Sequence, residues 1–373
     1  MAQVITSVVL GGGGQVMSAL ARNIDRTAFE MDVYCVIEGG ELVNYIRSLG
    51  FRVEVLPICR SRGPVRYDPA GWARLAARLR CGAYDVVHTH LFRADLVGTV
   101  AARVARRPVV VKTLHNMGTR KRRYHRIVDA LINAMTDRIV CVSASQREVT
   151  IGHDRVQPEK VITIRNGVCM ERFELAVERE RIAASLGLDA SRPIVGTVGR
   201  LIIEKGHRYL LEAVPEISRR VPGVQFVIVG DGDLRAQLEC QLREMGVSSF
   251  VITGLRADIP ELLGLMDVFV FPSLSEGSPI AVLEAMAAGV PVSCSDIPAL
   301  KEIVRHGETC DMFRAADTAQ LTDSVCRLLR DAALRASLSS RARAMVRSDY
   351  SEAAMARAYE DLYRSEFSRA AGR

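Results

Sequence analysis

Residues 268–294 read VFVFPSLSEGSPIAVLEAMAAGVPVSC. This stretch opens with one short apolar run, Val268–Phe271, and closes with another, Pro291–Cys294, and both have the length and composition of buried strands. The residues between them, Ile280 to Ala288, are apolar on every side except at Glu284, which is typical of a buried helix. A strand, a helix and a second strand in this order predict a parallel crossover, the unit of a doubly wound α/β sheet.

The ends of this helix can be predicted from single residues. Ser278 can cap the N-terminus through its hydroxyl, and Pro279 suits the first helical position because it has no N–H to leave unpaired. Gly289 can end the helix in a left-handed conformation, and Pro291 cannot continue it.

The same alternation of apolar runs and helical patterns extends along all 373 residues, which suit two domains of roughly 150–200 residues each. A charged stretch, Glu171–Arg192, follows an Asn-Gly turn and ends at Pro193, where a new strand begins. We therefore predict an N-terminal domain over 1–180 and a C-terminal domain over 181–350. In such sheets ligands bind at the carboxyl ends of the strands.

Composition limits the cellular setting. The chain contains no run of the ~20 apolar residues needed to span a bilayer, and its N-terminus reads as a first strand with no basic leader. Its nine cysteines include no Cys-x-x-Cys pair, which is typical of reduced thiols in a cytosolic protein. These features predict a cytoplasmic protein.

The positive charge lies in the first half. The chain carries a net charge of +7, with +9 in residues 1–180 and −2 in the remainder. Such asymmetry suggests an anionic membrane surface or a phosphate-bearing acceptor, although a solvated helix face would also explain it. Nucleic acid is not predicted, because aromatic residues make up only 5% and offer no stacking platform. The densest basic run is Arg120, Lys121, Arg122 and Arg123, followed by Arg126.

Two glutamates mark a candidate ligand site near the helix of the opening stretch. Glu284 would be buried, so it needs a partner, which ligand hydroxyls or an internal group could supply. Glu276 lies just before the helix, in a Ser-Glu-Gly turn. The free N–H groups and positive dipole of the helix N-terminus suit a phosphate.

Two cations follow the first strand of the second domain. Arg200 comes directly after Gly199 at the strand end, and Lys205 opens the next helix. Together they could hold a diphosphate without a metal ion, although ordinary surface charge would give the same pattern. His88 and His90 share one face at another strand end, but no third ligand is evident, so no metal site is predicted.

These residues carry a resemblance. The motifs concerned are the glycines at 11–14, Thr113-Leu114-His115-Asn116, Arg165-Asn166-Gly167-Val168, Gly199-Arg200 with Lys205-Gly206, Val229-Gly230-Asp231-Gly232, and Glu276 with Glu284. The chain resembles glycosyltransferase family 4 over its whole length, because it carries that family's usual motifs in the usual order. The resemblance implies a GT-B fold, with two Rossmann-like doubly wound domains facing across a cleft. It also implies that a C-terminal helix, about 351–373, packs back on the first domain.

The resemblance also implies roles for individual residues. Arg200 and Lys205 should contact the donor diphosphate, Glu284 should bind ribose hydroxyls, and Glu276 should hold the donor sugar. His115 should lie near the reacting centre. Further donor-binding positions implied in the same loops are Gly12, Gly13, Gly199, Gly230, Gly277, Ser278, Pro279 and Ile280.

The function implied is transfer of a hexosyl unit, with retention of configuration and without metal or cofactor, from a nucleotide sugar to an acceptor hydroxyl. A UDP-sugar is favoured and GDP-mannose is possible. We expect a glycan or lipid-linked acceptor, an intermediate of envelope polysaccharide synthesis, and peripheral attachment to the inner face of the plasma membrane. A sugar-nucleotide epimerase on the same fold and a non-catalytic nucleotide-sugar-binding protein remain as alternatives.

Overall fold

A computed structural model describes residues 1–9, 12–58, 68–115, 123–154, 156–174, 176–247 and 249–372, with the backbone alone for 123–126. Contacts divide the chain into two compact units. The first is Met1–Gly167 with Glu352–Arg373, and the second is Val168–Ser351. The C-terminal segment therefore belongs to the first unit, although the whole second unit precedes it in the sequence.

The first unit is built on a parallel sheet. Its strands are β1 (Ala2–Ile5), β2 (Asp32–Cys35), β3 (Arg52–Val55), β4 (Val86–His90), β5 (Val109–Leu114), β6 (Arg138–Cys141) and β7 (Val161–Thr163). In the described part of the unit they lie in the order β3-β2-β1-β4-β5-β6-β7, and each neighbouring pair is parallel. The helices that connect them are α1 (Gly12–Asn23), α2 (Val43–Ser48), α3 (Pro69–Cys81), α4 (Phe92–Val104), α5 (Arg123–Met135) and α6 (Ala144–His153).

The second unit repeats this plan. Its strands are β8 (Ile194–Val198), β9 (Gln225–Val229), β10 (Phe250–Ile252), β11 (Val268–Phe271), β12 (Val292–Ser295) and β13 (Asp311–Phe313), in the order β10-β9-β8-β11-β12-β13. The helices are α7 (Arg179–Ser185), α8 (His207–Arg220), α9 (Arg235–Glu244), α10 (Ile259–Leu265), α11 (Ile280–Ala287), α12 (Pro298–Lys301), α13 (Thr318–Arg330) and α14 (Ala332–Asp349).

Both sheets reverse their strand order at one place, between β1 and β4 and between β8 and β11. This is the order of a doubly wound Rossmann-like sheet, which confirms the predicted α/β class. Strands β1, β4, β9 and β11 are buried along their whole length, which explains why their sequences do not alternate with polar residues. In this fold the reversal point is where ligands bind, so the loops after β1, β4, β8 and β11 are the first places to look for a site.

The opening sequence stretch forms the expected crossover, with a difference at one helix end. Gly289 ends α11 in the left-handed region at φ +74°, and Val290 N–H donates to Ala285 O at 3.0 Å, as in a Schellman motif. The predicted side-chain cap is wrong, because α11 begins at Ile280 and has no side-chain cap bond. Instead, Ile280 N–H donates to the backbone oxygen of Ser278 at 3.0 Å.

The boundary between the units falls earlier than the sequence boundary at 180/181. Met170 and Phe173, in a short 3₁₀ turn, are buried in contact with α10 and α11. Arg179 forms an ion pair with Asp267 at 2.8 Å. The charge of this stretch hid the two buried apolar side chains that join it to the second unit.

The C-terminal helix, α15 (Glu352–Ala371), packs against α1 and β5. Glu366 of α15 pairs with Arg138 at 2.7 Å, and Glu352 pairs with Arg22. Tyr359 and Tyr363 of α15 are buried. Within the described ranges no helix has the length and apolar character needed to cross a bilayer.

Candidate functional site

Lys205 and Glu276 lie together at the reversal point of the second sheet. Lys205 ends a 3₁₀ turn, Ile203–Lys205, in the connection after β8, and Glu276 lies in the loop after β11, the strand beside β8. The two atoms Lys205 Nζ and Glu276 Oε1 are 2.7 Å apart, and the side chains are 18% and 9% exposed. Lys205 Nζ also lies 5.1 Å from the centroid of the Phe271 ring. A charged pair so little exposed is held in one geometry.

The two loops that carry this pair are joined through their backbones. Leu274 N–H donates to Glu204 O at 2.8 Å. Gly206, directly after Lys205, has a left-handed φ of +64°, and a Cβ there would lie 2.0 Å from Pro272 O. Only glycine allows this approach, so Gly206 sets the distance between the loops of Lys205 and Glu276.

Arg200 lies on the same edge of the sheet and is exposed. Among the described residues its guanidinium has no hydrogen bond or ion pair, which leaves it available to an anion. It follows Gly199, whose N–H donates to Val229 O at 3.0 Å. Gly230 has φ +150°, and a Cβ there would lie 2.0 Å from Gly199 O, so the backbones after β8 and β9 touch.

The remaining predicted donor positions lie at the start of α11. Gly277, Pro279 and Ile280 are buried and Ser278 is partly exposed. Glu284, one turn into the helix, is buried as predicted, with 4% of its surface exposed. The structure therefore places these residues on one loop and helix with Glu276.

In the first unit, His115 lies just after β5, the strand next to β4 and one strand away from the reversal point. His115 Nε2 is 3.1 Å from His90 Nδ1, and His90 Nε2 is 2.8 Å from Gln3 Oε1. A Cβ on Gly13 would lie 3.8 Å from His115 Cδ2, which places the start of α1 beside the ring. Gly12 and Gly13, which were expected in a loop, form the first turn of α1, so the helix begins within the glycine stretch, and Gly12 is exposed.

Burial keeps these histidines neutral. Desolvation lowers the pKa of His115 to about 4 and, with a smaller effect from His115, the pKa of His88 to about 3. The pKa of His90 falls well below its usual range, mainly through burial and then through its two neighbouring histidines. His88 has both ring nitrogens engaged, with Tyr363 OH at 2.7 Å and Thr113 Oγ1 at 2.8 Å.

The part of the chain that the structure describes contains no cluster of three or more His, Cys, Asp or Glu side chains placed to hold a metal.

Comparison with known proteins now assigns the family. The model for "Glycosyltransferase Family 4" matches residues 10–172, and that for "Glycosyl transferases group 1" matches residues 192–331. The UDP-Gal:alpha-D-GlcNAc-diphosphoundecaprenol alpha-1,3-galactosyltransferase of Escherichia coli is 31% identical over 317 residues, covering 82% of this chain and 81% of that protein. The chain belongs to glycosyltransferase family 4. It is an enzyme that transfers a sugar.

Solved structures support the fold of this glycosyltransferase. Anabaena HepE, in complex with UDP-glucose, superposes with a TM-score of 0.85 at 19% identity, covering 98% of this chain and 100% of that chain. The sucrose-phosphate synthase of Thermosynechococcus elongatus gives a TM-score of 0.81 at 21% identity, covering 99% of each chain. The two Rossmann-like units are therefore GT-B domains.

Some predicted positions of the glycosyltransferase are not described. Arg120, Lys121 and Arg122 of the basic run lie outside the described residues, as do Gly11 and Asn116. Arg123 and Arg126 lie on α5, where the backbone alone is described.

Sequence reasoning missed three residues that contact the histidines of the glycosyltransferase: Gln3, Tyr359 and Tyr363. Gln3 offered a signal, because a polar side chain in a strand buried on both faces needs a partner. The tyrosines offered none, because their partners lie far away in the sequence.

Proposed function

We propose that this chain is a retaining glycosyltransferase that moves a hexosyl unit from a nucleotide sugar, with a UDP-sugar favoured, to an acceptor hydroxyl. The observation that carries the proposal is the charged group at the ends of the neighbouring strands β8 and β11. Arg200 and Lys205 offer cations to phosphate oxygens, while Glu276 offers a carboxylate to sugar hydroxyls. A nucleotide diphosphate sugar presents these two chemistries side by side.

The geometry around Lys205 and Glu276 supports a division of roles. Lys205 already contacts Glu276, so a phosphate that approaches Lys205 brings its sugar close to Glu276. Arg200, exposed and unpaired within the described residues, can take a second phosphate oxygen. The N-terminus of α11 adds backbone N–H groups and the positive end of its dipole. Glu284, buried one turn into α11, is proposed to accept hydrogen bonds from ribose hydroxyls.

Retention follows from the chemistry that these groups can perform. An inverting enzyme needs a base on the face opposite the departing nucleotide, and a double displacement needs a carboxylate nucleophile there. Glu276 is engaged with Lys205 on the phosphate side, which favours a ligand role. We propose that the acceptor oxygen bonds to the anomeric carbon on the face that the phosphate leaves. The acceptor proton passes to a phosphate oxygen as the carbon–phosphate-oxygen bond breaks, and Arg200 and Lys205 stabilise the leaving charge. No metal or cofactor is needed for this charge balance.

The choice of substrates rests on relatives. The Escherichia coli relative's name specifies UDP-Gal and a diphosphoundecaprenol-linked acceptor, and HepE was solved with UDP-glucose. These names support a UDP-sugar donor and a lipid-linked acceptor, an intermediate of envelope polysaccharide synthesis. A cytoplasmic enzyme that attaches to the inner face of the plasma membrane through its basic run would meet both substrates.

A panel of nucleotide sugars tests the proposal. Thermal unfolding should be followed in EDTA with UDP-glucose, UDP-galactose, UDP-N-acetylglucosamine and GDP-mannose. A true donor at 100 times its Kd adds ~2.7 kcal/mol to the free energy of unfolding, which raises the melting temperature by several degrees. The Lys205→Met variant should lose most of that shift. Equal melting temperatures with every nucleotide sugar, or a shift that requires added magnesium or manganese, would contradict the proposal.

A further inference from the structure

A buried chain of hydrogen bonds leads from the first strand to His115. Gln3 Oε1 lies 2.8 Å from His90 Nε2, and His90 Nδ1 lies 3.1 Å from His115 Nε2. Gln3 and His90 are fully buried, on the neighbouring strands β1 and β4. Because Gln3 and His90 are shielded from solvent, the donor or acceptor role of one group in this chain determines which nitrogen of the next group carries the proton.

The direction of the chain follows from the other end of Gln3. Gln3 Nε2 lies 3.7 Å from Met1 Sδ and 3.2 Å from Tyr363 OH. A thioether sulfur can only accept a hydrogen bond, so the Gln3 atom beside it is the amide nitrogen and the atom facing His90 is the oxygen. His90 must therefore carry its proton on Nε2.

A neutral imidazole has a single N–H, so His90 Nδ1 is an acceptor. The nitrogen of His115 that faces it, Nε2, must then be the donor. It follows that His115 Nδ1 has a free lone pair. That atom is buried and has no hydrogen-bond partner among the described residues.

The backbone beside this chain is strained. Leu91, directly after His90, has φ +74° and ψ 144°, a region in which residues other than glycine are rare. A Cβ on Gly13 would lie 3.6 Å from Leu91 Cδ1 and 3.8 Å from His115 Cδ2. Such strain persists only where the surrounding structure holds the backbone in place, and Leu91 lies directly after His90 and beside Gly13.

We infer that Gln3 and His90 are positioning residues that hold His115 in the Nε2–H tautomer, so that Nδ1 accepts a hydrogen bond from a sugar hydroxyl. The identity of the hydroxyl rests on the proposed function, whereas the tautomer rests on the hydrogen bonds alone. Gln3 acts only through His90 and His115. A purely structural glutamine would affect stability and leave the protonation of His115 unchanged.

The direct test is nitrogen NMR of the full chain labelled with ¹⁵N-histidine, with the His115 signals assigned by their loss in His115→Gln. In the wild type, His115 should show a protonated Nε2 and an unprotonated Nδ1. In Gln3→Met, which replaces the amide oxygen facing His90 with a much weaker thioether acceptor, His115 should show both tautomers. A protonated Nδ1 in the wild type, or the same tautomer in Gln3→Met, would overturn the inference.

Kinetics of the same variants test whether the tautomer matters. Loss of a group that orients a metal-ligating histidine typically costs roughly 10–100-fold, and by analogy we expect kcat of Gln3→Met to fall by about that factor with little change in donor Kd. Adding His90→Asn should restore part of it, because the introduced amide oxygen can accept from His115 Nε2 without residue 3.

Tyr359→Phe is the matched control. It removes a buried hydroxyl from the same cluster, 3.1 Å from Thr113 Oγ1, but lies off the path to His115. Its kcat should equal that of the wild type. An equal loss of kcat in Tyr359→Phe and Gln3→Met would mean that the effect comes from disturbed core packing, and it would overturn the inference. A failed proposed function would be seen separately, in the donor panel, because the NMR result needs no donor.

Discussion

Lys205 is the central cation of the proposed donor site, because it forms an ion pair with Glu276. In the free enzyme each charge compensates the other at 2.7 Å, which reduces the cost of holding them away from water. When a diphosphate arrives, Lys205 can contact it without moving far. Under the proposed function, the ion pair is therefore a preformed part of the donor site.

Removing either donor cation should slow the reaction while leaving the fold intact. We expect Lys205→Met and Arg200→Ala to lower kcat/KM by at least ~100-fold, because stabilisation of the leaving diphosphate is lost. The control is Arg219→Ala, which removes an exposed arginine from α8 of the same unit. Steady-state kinetics and urea unfolding of the three variants decide the matter, and activities within a few-fold of the wild type would refute the assignment.

The three buried histidines of the first unit should make the protein sensitive to acid. Their folded-state pKa values lie below the ordinary 6.5, at about 3 for His88 and about 4 for His115, and well below it for His90. Below pH 6.5 the unfolded chain therefore binds protons that the folded chain does not. The contribution of these histidines to the free energy of unfolding should be fully present above pH 6.5. As the pH falls towards 4, the free energy should decrease by about 1.4 kcal/mol per pH unit for each histidine. Buried His207 adds to the same trend.

Urea unfolding at pH 7.5, 6 and 5 measures this slope. His153, which is exposed at the end of α6, provides the control, since His153→Gln should leave the slope unchanged. A free energy of unfolding that is constant between pH 7.5 and 5 would contradict the neutral, buried assignment.

The sequence predicted individual residues best where their role is local. The burial of Glu284 could be inferred from its apolar helix. The placement of Arg200 and Lys205 at one edge of the sheet could be inferred from their position after a strand. Gln3 and Tyr363 could not be paired, because 360 residues separate them and only the return of α15 brings them together. The Lys205–Glu276 ion pair was equally hidden, since it joins loops of different strands.

At the scale of the elements, the junction between the 3₁₀ turn and α8 is tightly constrained. Gly206→Ala should destabilise the protein and lower activity, because its left-handed backbone brings a Cβ against Pro272 O at 2.0 Å. Gly246→Ala is a matched control, with the same φ of +64° and nothing within 4 Å of the added Cβ. The control should lose about 1 kcal/mol for the backbone conformation alone. Gly206→Ala should lose more in urea unfolding, with a lower kcat/KM, and equal losses in the two variants would show that the loop contact is unimportant.

Helix α5 presents apolar side chains to solvent next to the basic run. Ile127 and Leu131, four residues apart and so on one face, are 66% and 61% exposed. We expect the enzyme to sediment with anionic vesicles, at roughly 1 kcal/mol per basic residue near the surface, and less at high salt.

The double variant Ile127→Gln/Leu131→Gln should weaken this binding. Leu255→Gln, which removes a side chain that is 60% exposed on the second unit, should leave it unchanged. Equal recovery with neutral and anionic vesicles would favour a solvated helix face.

The elements themselves were predictable to the extent that single residues define their ends. Gly289 ended α11 as expected because a left-handed residue favours glycine. The N-terminal cap was mispredicted because Ser278 satisfies the helix start through its backbone oxygen, which any residue could supply. The early start of α1 at Gly12 was missed because glycine is a poor helix former, and tertiary context overrode that preference.

The molecule as a whole consists of two units, and the six described strands of the second follow the order of the first six in the sheet of the first, which α15 completes. The sequence predicted the doubly wound class because apolar runs alternate with helices throughout. The sequence analysis placed the division at 180/181, and the structure places it at 167/168. The difference arose because the charges of this stretch suggested a linker, although Met170 and Phe173 within it are buried. In each unit the candidate residues follow the carboxyl ends of strands at or beside the reversal point, β8 and β11 in the second unit and β5, next to β4, in the first.

The central claim is transfer of a hexosyl unit from a nucleotide sugar with retention, and the anomeric configuration of the product tests it most directly. Groups on the phosphate side, Arg200, Lys205 and Glu276, lead us to expect attack from the face that the nucleotide leaves. Incubation with an α-linked UDP-sugar identified by the donor panel and a polyprenyl-diphosphate-linked acceptor should therefore give an α-linked product. Proton NMR of the new anomeric centre measures this directly. A product with the α configuration is the predicted result, and a β-linked product from the same donor would contradict the account.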